Sequence, residues 1–168
     1  MSKALKAIGD IGAAAWWGGN LMGILGLNPA VEVLDDPEER GKMVDEGWAR
    51  YQPYGALGLA AATVSHIVTR RDKPRRPSQC YQTAALVKDV CLGVAIVSSI
   101  ASVALGEYST EYEADAYTPM ESATTPESET PEPVVAAQKG LSISSWALLI
   151  SGLGFIAAGA VLSHERER

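Results

Sequence analysis

Apolar and charged positions follow one another along this chain in long blocks, with no helical or strand period. Asp, Glu, Lys and Arg are absent from residues 11–31, 51–69, 90–106 and 140–164, and charge collects between these runs and at the two ends. A helix rises about 1.5 Å per residue and the hydrocarbon core of a bilayer is about 30 Å thick, so roughly 20 apolar residues cross it. Each run is of that order. The third is the shortest, and residues 83–87 lengthen it if Lys88 snorkels to the headgroups. A soluble bundle would carry charged faces at helical period inside the runs, and they are missing. The pattern predicts an all-α chain, an integral membrane four-helix bundle. Helices one to three fall within residues 1–106, and helix four with a cytoplasmic tail within 140–168. Lys3 and Lys6 before an apolar run also suit a signal peptide, but Trp16, Trp17 and Asn20 do not suit its core.

The segments between the runs differ in character. Residues 36–51 read as a short helix along the membrane interface. Asp36 can cap it, Pro37 fits its first turn, and Met43, Val44, Trp48 and Tyr51 fall roughly on one side. A solvated helical connector is the plainer alternative. The second segment is a basic turn with Arg70, Arg71, Lys73, Arg75 and Arg76, broken by Pro74 and Pro77. Basic residues near helix ends set orientation. With both termini cytoplasmic, Lys3, Lys6, these five, Arg166 and Arg168 lie inside, against Arg40, Lys42, Arg50 and Lys139 outside. The inside cations are expected to meet anionic lipids at the cytoplasmic face.

Residues 107–139 are the odd segment, an acidic low-complexity loop expected on the extracytoplasmic side. It holds eight acidic residues, one Lys and four Pro among Ser and Thr, a composition that should be disordered in isolation. Tyr108, Tyr112, Tyr117 and Met120 are candidate anchors on a protein partner, and the stretch 121–133 reads as spacer.

Bulk composition changes this picture little. The chain has 168 residues, 47% hydrophobic, and a mean hydropathy of +0.04, an average that hides the segregation. The net charge of −6 comes largely from the acidic segment, and no basic stripe interleaved with aromatics offers a track for nucleic acid.

Inside the runs, small residues recur at helical spacing: Gly19 and Gly23; Ser98, Ser102 and Gly106; Cys91, Ala95 and Ser99; Gly154 and Ala158. Such residues let membrane helices approach closely. The intramembrane polar candidates are Asn20, His66, Lys88 and Asp89. Asn20 should hydrogen-bond a neighbouring helix, and the others, with Asp10 and His164, fall towards the cytoplasmic ends. There they either form one polar cluster, with Lys88 neutralised by Asp10 or Asp89, or each reach the headgroup region, the simpler reading.

No catalytic, cofactor-binding or metal-binding set is legible. Two His on separate helices fall short of a zinc set and give no ground for haem. Cys80 and Cys91 form no CxxC pair, and neither is expected on the oxidising side. No phosphate-binding glycine loop follows a strand.

The stretch 16–53 carries Trp17, Gly18, Gly19, Leu21, Met22, Gly23, Gly26, Leu27 and Asn28. An Asp36–Pro37–x–Glu39–Arg40 run follows, then Gly47, Trp48, Arg50 and Pro53. It resembles the opening of uncharacterised small four-span membrane proteins of actinobacteria. The resemblance covers about the first third of the chain and implies a four-helix fold in a bacterial inner membrane, with no activity attached. The expected role is a non-catalytic accessory subunit of a larger bacterial membrane complex, such as a respiratory one, with other membrane-protein subunits as partners. A small membrane redox or quinone-handling enzyme built on His66 is one alternative. A transporter or channel component is the other, disfavoured by the scarcity of midspan polar residues.

Overall fold

The computed structural model describes residues 3–71, 76–111, 120–122, 125–126 and 130–167, and side chains within these except at 110–111, 120–126 and 166–167. Four long helices account for nearly all of it. Helix α1 is Lys3–Met22, continued by a π-helical stretch Gly23–Leu27, one α turn Asn28–Ala30 and a 3-10 turn Val31–Val33. Helix α2 is Pro37–Arg71, α3 is Gln79–Glu111 and α4 is Glu132–Glu167. Strands β1 (Met120–Ser122) and β2 (Thr125–Pro126) form a minimal antiparallel pair.

Local chemistry sets the helix ends. Pro29 has no N–H and crowds the carbonyl four residues back, so the ladder widens ahead of it. There the Asn28 N–H donates to the Gly23 carbonyl, a π spacing. The Asp36 carboxylate accepts from the Glu38 N–H at 2.9 Å and caps α2. Ser78 accepts from the Tyr81 N–H at 3.0 Å and caps α3.

The helices pair as two antiparallel hairpins, α1 with α2 and α3 with α4, which meet mainly along α1 and α4. Glycines hold the first hairpin together. A Cβ on Gly12 would lie 2.7 Å from the Gly58 carbonyl, and one on Gly58 2.7 Å from the Gly12 carbonyl, so the backbones touch there. Gly19 receives the Tyr51 ring and Gly23 the Trp48 ring. In the second hairpin Gly154 faces the Cys91 sulfur, and the Ser102 and Ser144 hydroxyls bond at 2.8 Å. Between hairpins, the Trp17 indole lies on Gly152 and donates to the Leu149 carbonyl at 3.0 Å.

Burial is inverted relative to a soluble protein. Asn20, Ser65, His66, Ser98, Ser144 and Ser151 are inside, while Ile11, Leu57, Val97, Ile100, Ile150 and Leu153 stand more than half exposed. Two helices, within Gln79–Ser109 and Glu132–Glu165, are long and apolar enough to cross a membrane, and only 17% and 39% of their most apolar windows are buried. The core helix of a soluble protein would bury most of such a window. Four such helices are expected from the charge-free runs, and α1 and α2 fall short of that measure. The run of α1 is diluted by Trp16, Trp17, Asn20 and its glycines, and that of α2 by Gln52, Pro53, Tyr54, Ser65 and His66.

Two expected boundaries move. The interfacial helix 36–51 is no separate element. It continues without a break into residues 52–71, with Pro53 inside the helix. The acidic loop is shorter than 107–139, because α3 runs on to Glu111 and α4 begins at Glu132. The strand pair within it lies on the chain itself, β1 against α2 and β2 against α4. Of the expected spacer 121–133, residues 123–124 and 127–129 lie outside the described residues.

Candidate functional site

The polar residues within the helices gather at two levels. Near the C-terminal end of α1, the Asn20 amide donates to the Trp16 carbonyl at 2.7 Å and to the Tyr51 hydroxyl at 3.1 Å, and that hydroxyl donates to the Trp16 carbonyl. The expected neighbour for Asn20 is thus Tyr51 on α2. A step further out, the Trp48 indole donates to the Asn28 side-chain oxygen at 3.0 Å.

The second level lies where the C-terminal end of α2 meets the N-terminal part of α3. His66 is 5% exposed, and its Nε2 lies 2.7 Å from the Asp89 Oδ1. Arg70 donates to the Asp89 Oδ2 from Nε at 3.1 Å and from Nη2 at 2.9 Å, and its Nε also reaches Oδ1 at 3.2 Å. Lys88 places its Nζ 4.4 Å from the centre of the Phe155 ring, and His66 meets the same ring edge-on. One carboxylate shared by a guanidinium and an imidazole is an ion lock between helices, its lone pairs committed. Of the two readings weighed for these residues, His66 and Asp89 form a cluster, while Asp10 and His164 are exposed. Arg70 enters this cluster too, although as one of five cations in a basic turn it stands out in no sequence pattern. Its place one turn beyond His66 on the same helix is the only signal.

The α2–α3 lock bounds a long cleft. Away from it the two helices stand apart, leaving a groove of about 1030 Å³. Ala56 and Ala60 of α2 and Ser99 and Val103 of α3 face it across a floor of Trp16 and Leu148. A smaller hollow of about 430 Å³ lies at the other end, lined by Ile67, Arg70 and Arg71 of α2 and Leu92 and Gly93 of α3. Thr63 and Ile96 line both, so the two adjoin. From Trp48 to Arg71 the cleft follows 23 residue steps of helix, about 35 Å and close to the thickness of a bilayer's hydrocarbon core.

Tyr108 lies on α3 and is 45% exposed. Tyr112 and Tyr117 lie outside the described residues, and so does the side chain of Met120. Beyond the membrane-length runs, burial pushes the Asp45 carboxyl up to about 6. Gln138, missed in the sequence, is 2% exposed, with neither amide atom hydrogen-bonded. Among the described residues no three His, Cys, Asp or Glu side chains come together as a metal set. Comparison of the chain with protein-family models, with curated proteins and with solved structures gives no match.

Proposed function

We propose that this chain is a four-span, non-catalytic subunit of a larger assembly in a bacterial plasma membrane, with both termini cytoplasmic, and that its α2–α3 groove receives one apolar helix of a partner subunit. Support for four spans comes from the side-by-side packing of the hairpins. The Trp17 indole reaches the Leu149 carbonyl in the middle of a membrane-length helix, so α1 occupies the same layer as α4. Exposed Ile11, Met22, Leu57, Val64 and Ile67 continue the apolar surface around α1 and α2.

The groove is the observation that carries the docking role. The groove follows α2 from Trp48 to Val64, 16 residue steps or about 24 Å and most of the depth of a bilayer's hydrocarbon core, and Gly55, Ala56, Ala60 and Ala104 in its lining are the small residues that let a backbone approach. The acidic segment 112–131, on the extracytoplasmic side in this reading, adds charge that would select a basic partner surface and speed encounter.

Gentle purification from native membranes, followed by native mass spectrometry, tests this. Wild-type protein should carry a companion chain in fixed ratio, crosslinked through its apolar segment by a photoreactive residue at position 60. Ala56→Trp with Ala60→Trp should release that chain, while Leu57→Trp on the outer face should not. A lone chain carrying only lipid, or a companion kept by the groove-filled variant, overturns the reading.

A further inference from the structure

The hollow of about 430 Å³ at the end of the cleft differs from the main groove in carrying charge. Arg70, Arg71 and His66 stand at its α2 side and the Asp89 carboxylate at its α3 side, and Ile67, Leu92 and Ile96 make the rest of its walls apolar. Asp89 takes Nε and Nη2 of Arg70, which fixes the plane of the guanidinium and leaves Nη1 without a protein partner among the described residues. Arg71 is exposed one position on. With Asp89 counted, these side chains carry a net single positive charge.

We propose that this hollow is a binding site for one anionic phospholipid, with its phosphate on Arg70 and Arg71 and an acyl chain lying between Ile67 and Leu92. A basic pocket between membrane helices beside a polybasic turn offers the two things such a lipid needs, a fixed guanidinium for its headgroup and an apolar slot at the same depth for its tail. Gly93 borders open space in the slot, since a Cβ there would meet no atom within 4 Å. The lipid would seal the cleft below the partner helix and bridge the two hairpins where α2 and α3 already touch. This site rests on the membrane reading of the chain but not on the partner helix.

The test uses the full chain, purified and reconstituted with phosphatidylglycerol and phosphatidylcholine of identical acyl chains, with retained lipid counted by native mass spectrometry. Wild type should keep phosphatidylglycerol at least about fivefold over phosphatidylcholine, the weight of one cation near a lipid surface. Arg71→Gln should cut that preference about fivefold. Gly93→Trp fills the slot with no change of charge and should abolish it, while Arg50→Gln, at the other end of α2, should leave it intact. Equal retention of both lipids by wild type overturns the site. So does a preference that survives Gly93→Trp, which would assign the lipid to the basic turn alone, or displacement of the lipid by an isoprenoid quinone. Release of the chain from membranes by alkaline wash would instead sink the membrane reading, so the two failures are told apart.

Discussion

At the scale of single residues, the buried polar groups divide by whether their partner lies on another helix. Asn20 shares a hydroxyl with Tyr51 and a carbonyl with that same hydroxyl, so three groups satisfy one another inside the α1–α2 contact. In hydrocarbon an unsatisfied amide is costly, and closing the set this way turns a liability into a fixed register for the hairpin. Asp45 is the opposite case, a half-buried carboxylate whose burial raises its pKa to about 6. A raised carboxyl pKa means that the fold prefers the protonated form. That stabilisation is fully present below about pH 4 and is lost as pH rises through about 6. Asp45→Asn should therefore raise the unfolding temperature at pH 7.5 and leave it nearly unchanged at pH 4. Two pKa units would correspond to about 3 kcal/mol at most, and solvent screening of a half-exposed group brings this to about 1 kcal/mol. Thermal unfolding of wild type and variant across that range checks it, and parallel curves would show that Asp45 is not the source of the slope.

Elements show how much of the architecture was legible in the chain and why part of it was not. The absence of charge over 11–31, 51–69, 90–106 and 140–164 locates the four helices, and in the proposed four-span reading it does so because a charge at midspan is expensive. Helix length beyond the gap is less visible. Asp36, Pro37, Met43, Val44, Trp48 and Tyr51 make 36–51 read as a short interfacial helix, yet α2 runs on through Pro53 as 35 continuous residues. The exposed end of a long helix tolerates charge, and the loss of one ladder hydrogen bond at Pro53 is outweighed by packing on α1. Glycine spacing signals close packing but not which glycines touch. Gly18, Gly19 and Gly23 look alike in sequence, whereas only the last two receive aromatic rings and a Cβ on Gly18 would meet nothing within 4 Å. Gly58→Ala forces a methyl against the Gly12 carbonyl and should destabilise the hairpin by about 1–3 kcal/mol. Gly18→Ala should be neutral or stabilise by up to about 1 kcal/mol through helix propensity. Denaturation of both variants in the same lipid or detergent decides, and equal effects would mean that the backbones do not meet at Gly12 and Gly58.

Across the whole molecule, orientation and span number are one question with two parts. The cleft between α2 and α3 was not legible at all, because it depends on how two hairpins splay, and no local pattern encodes the distance between helices far apart in sequence. In the proposed topology the count of cations, nine against four, puts the turn between α2 and α3 inside. Cys80 sits just past that turn and is exposed, so it reports the side directly. In a Cys91→Ala background, a membrane-impermeant maleimide should label Cys80 only after cells are opened. A second reporter fixes the number of spans. Glu38, exposed at the start of α2, lies on the far side from Cys80 if α1 and α2 both cross. If only α3 and α4 cross, the first hairpin stays on the Cys80 side and residue 38 stays with it. Glu38→Cys in a cysteine-free background should therefore be labelled in intact cells. Labelling of Glu38→Cys only in opened cells, alongside Cys80, would reduce the chain to two spans. The Trp17 contact with Leu149 would then have to be broken, since α1 could not leave the membrane and still reach a carbonyl in the middle of α4. Labelling of Cys80 in intact cells with Glu38→Cys protected would instead keep four spans and invert them, carrying the arginine hollow to the outer leaflet.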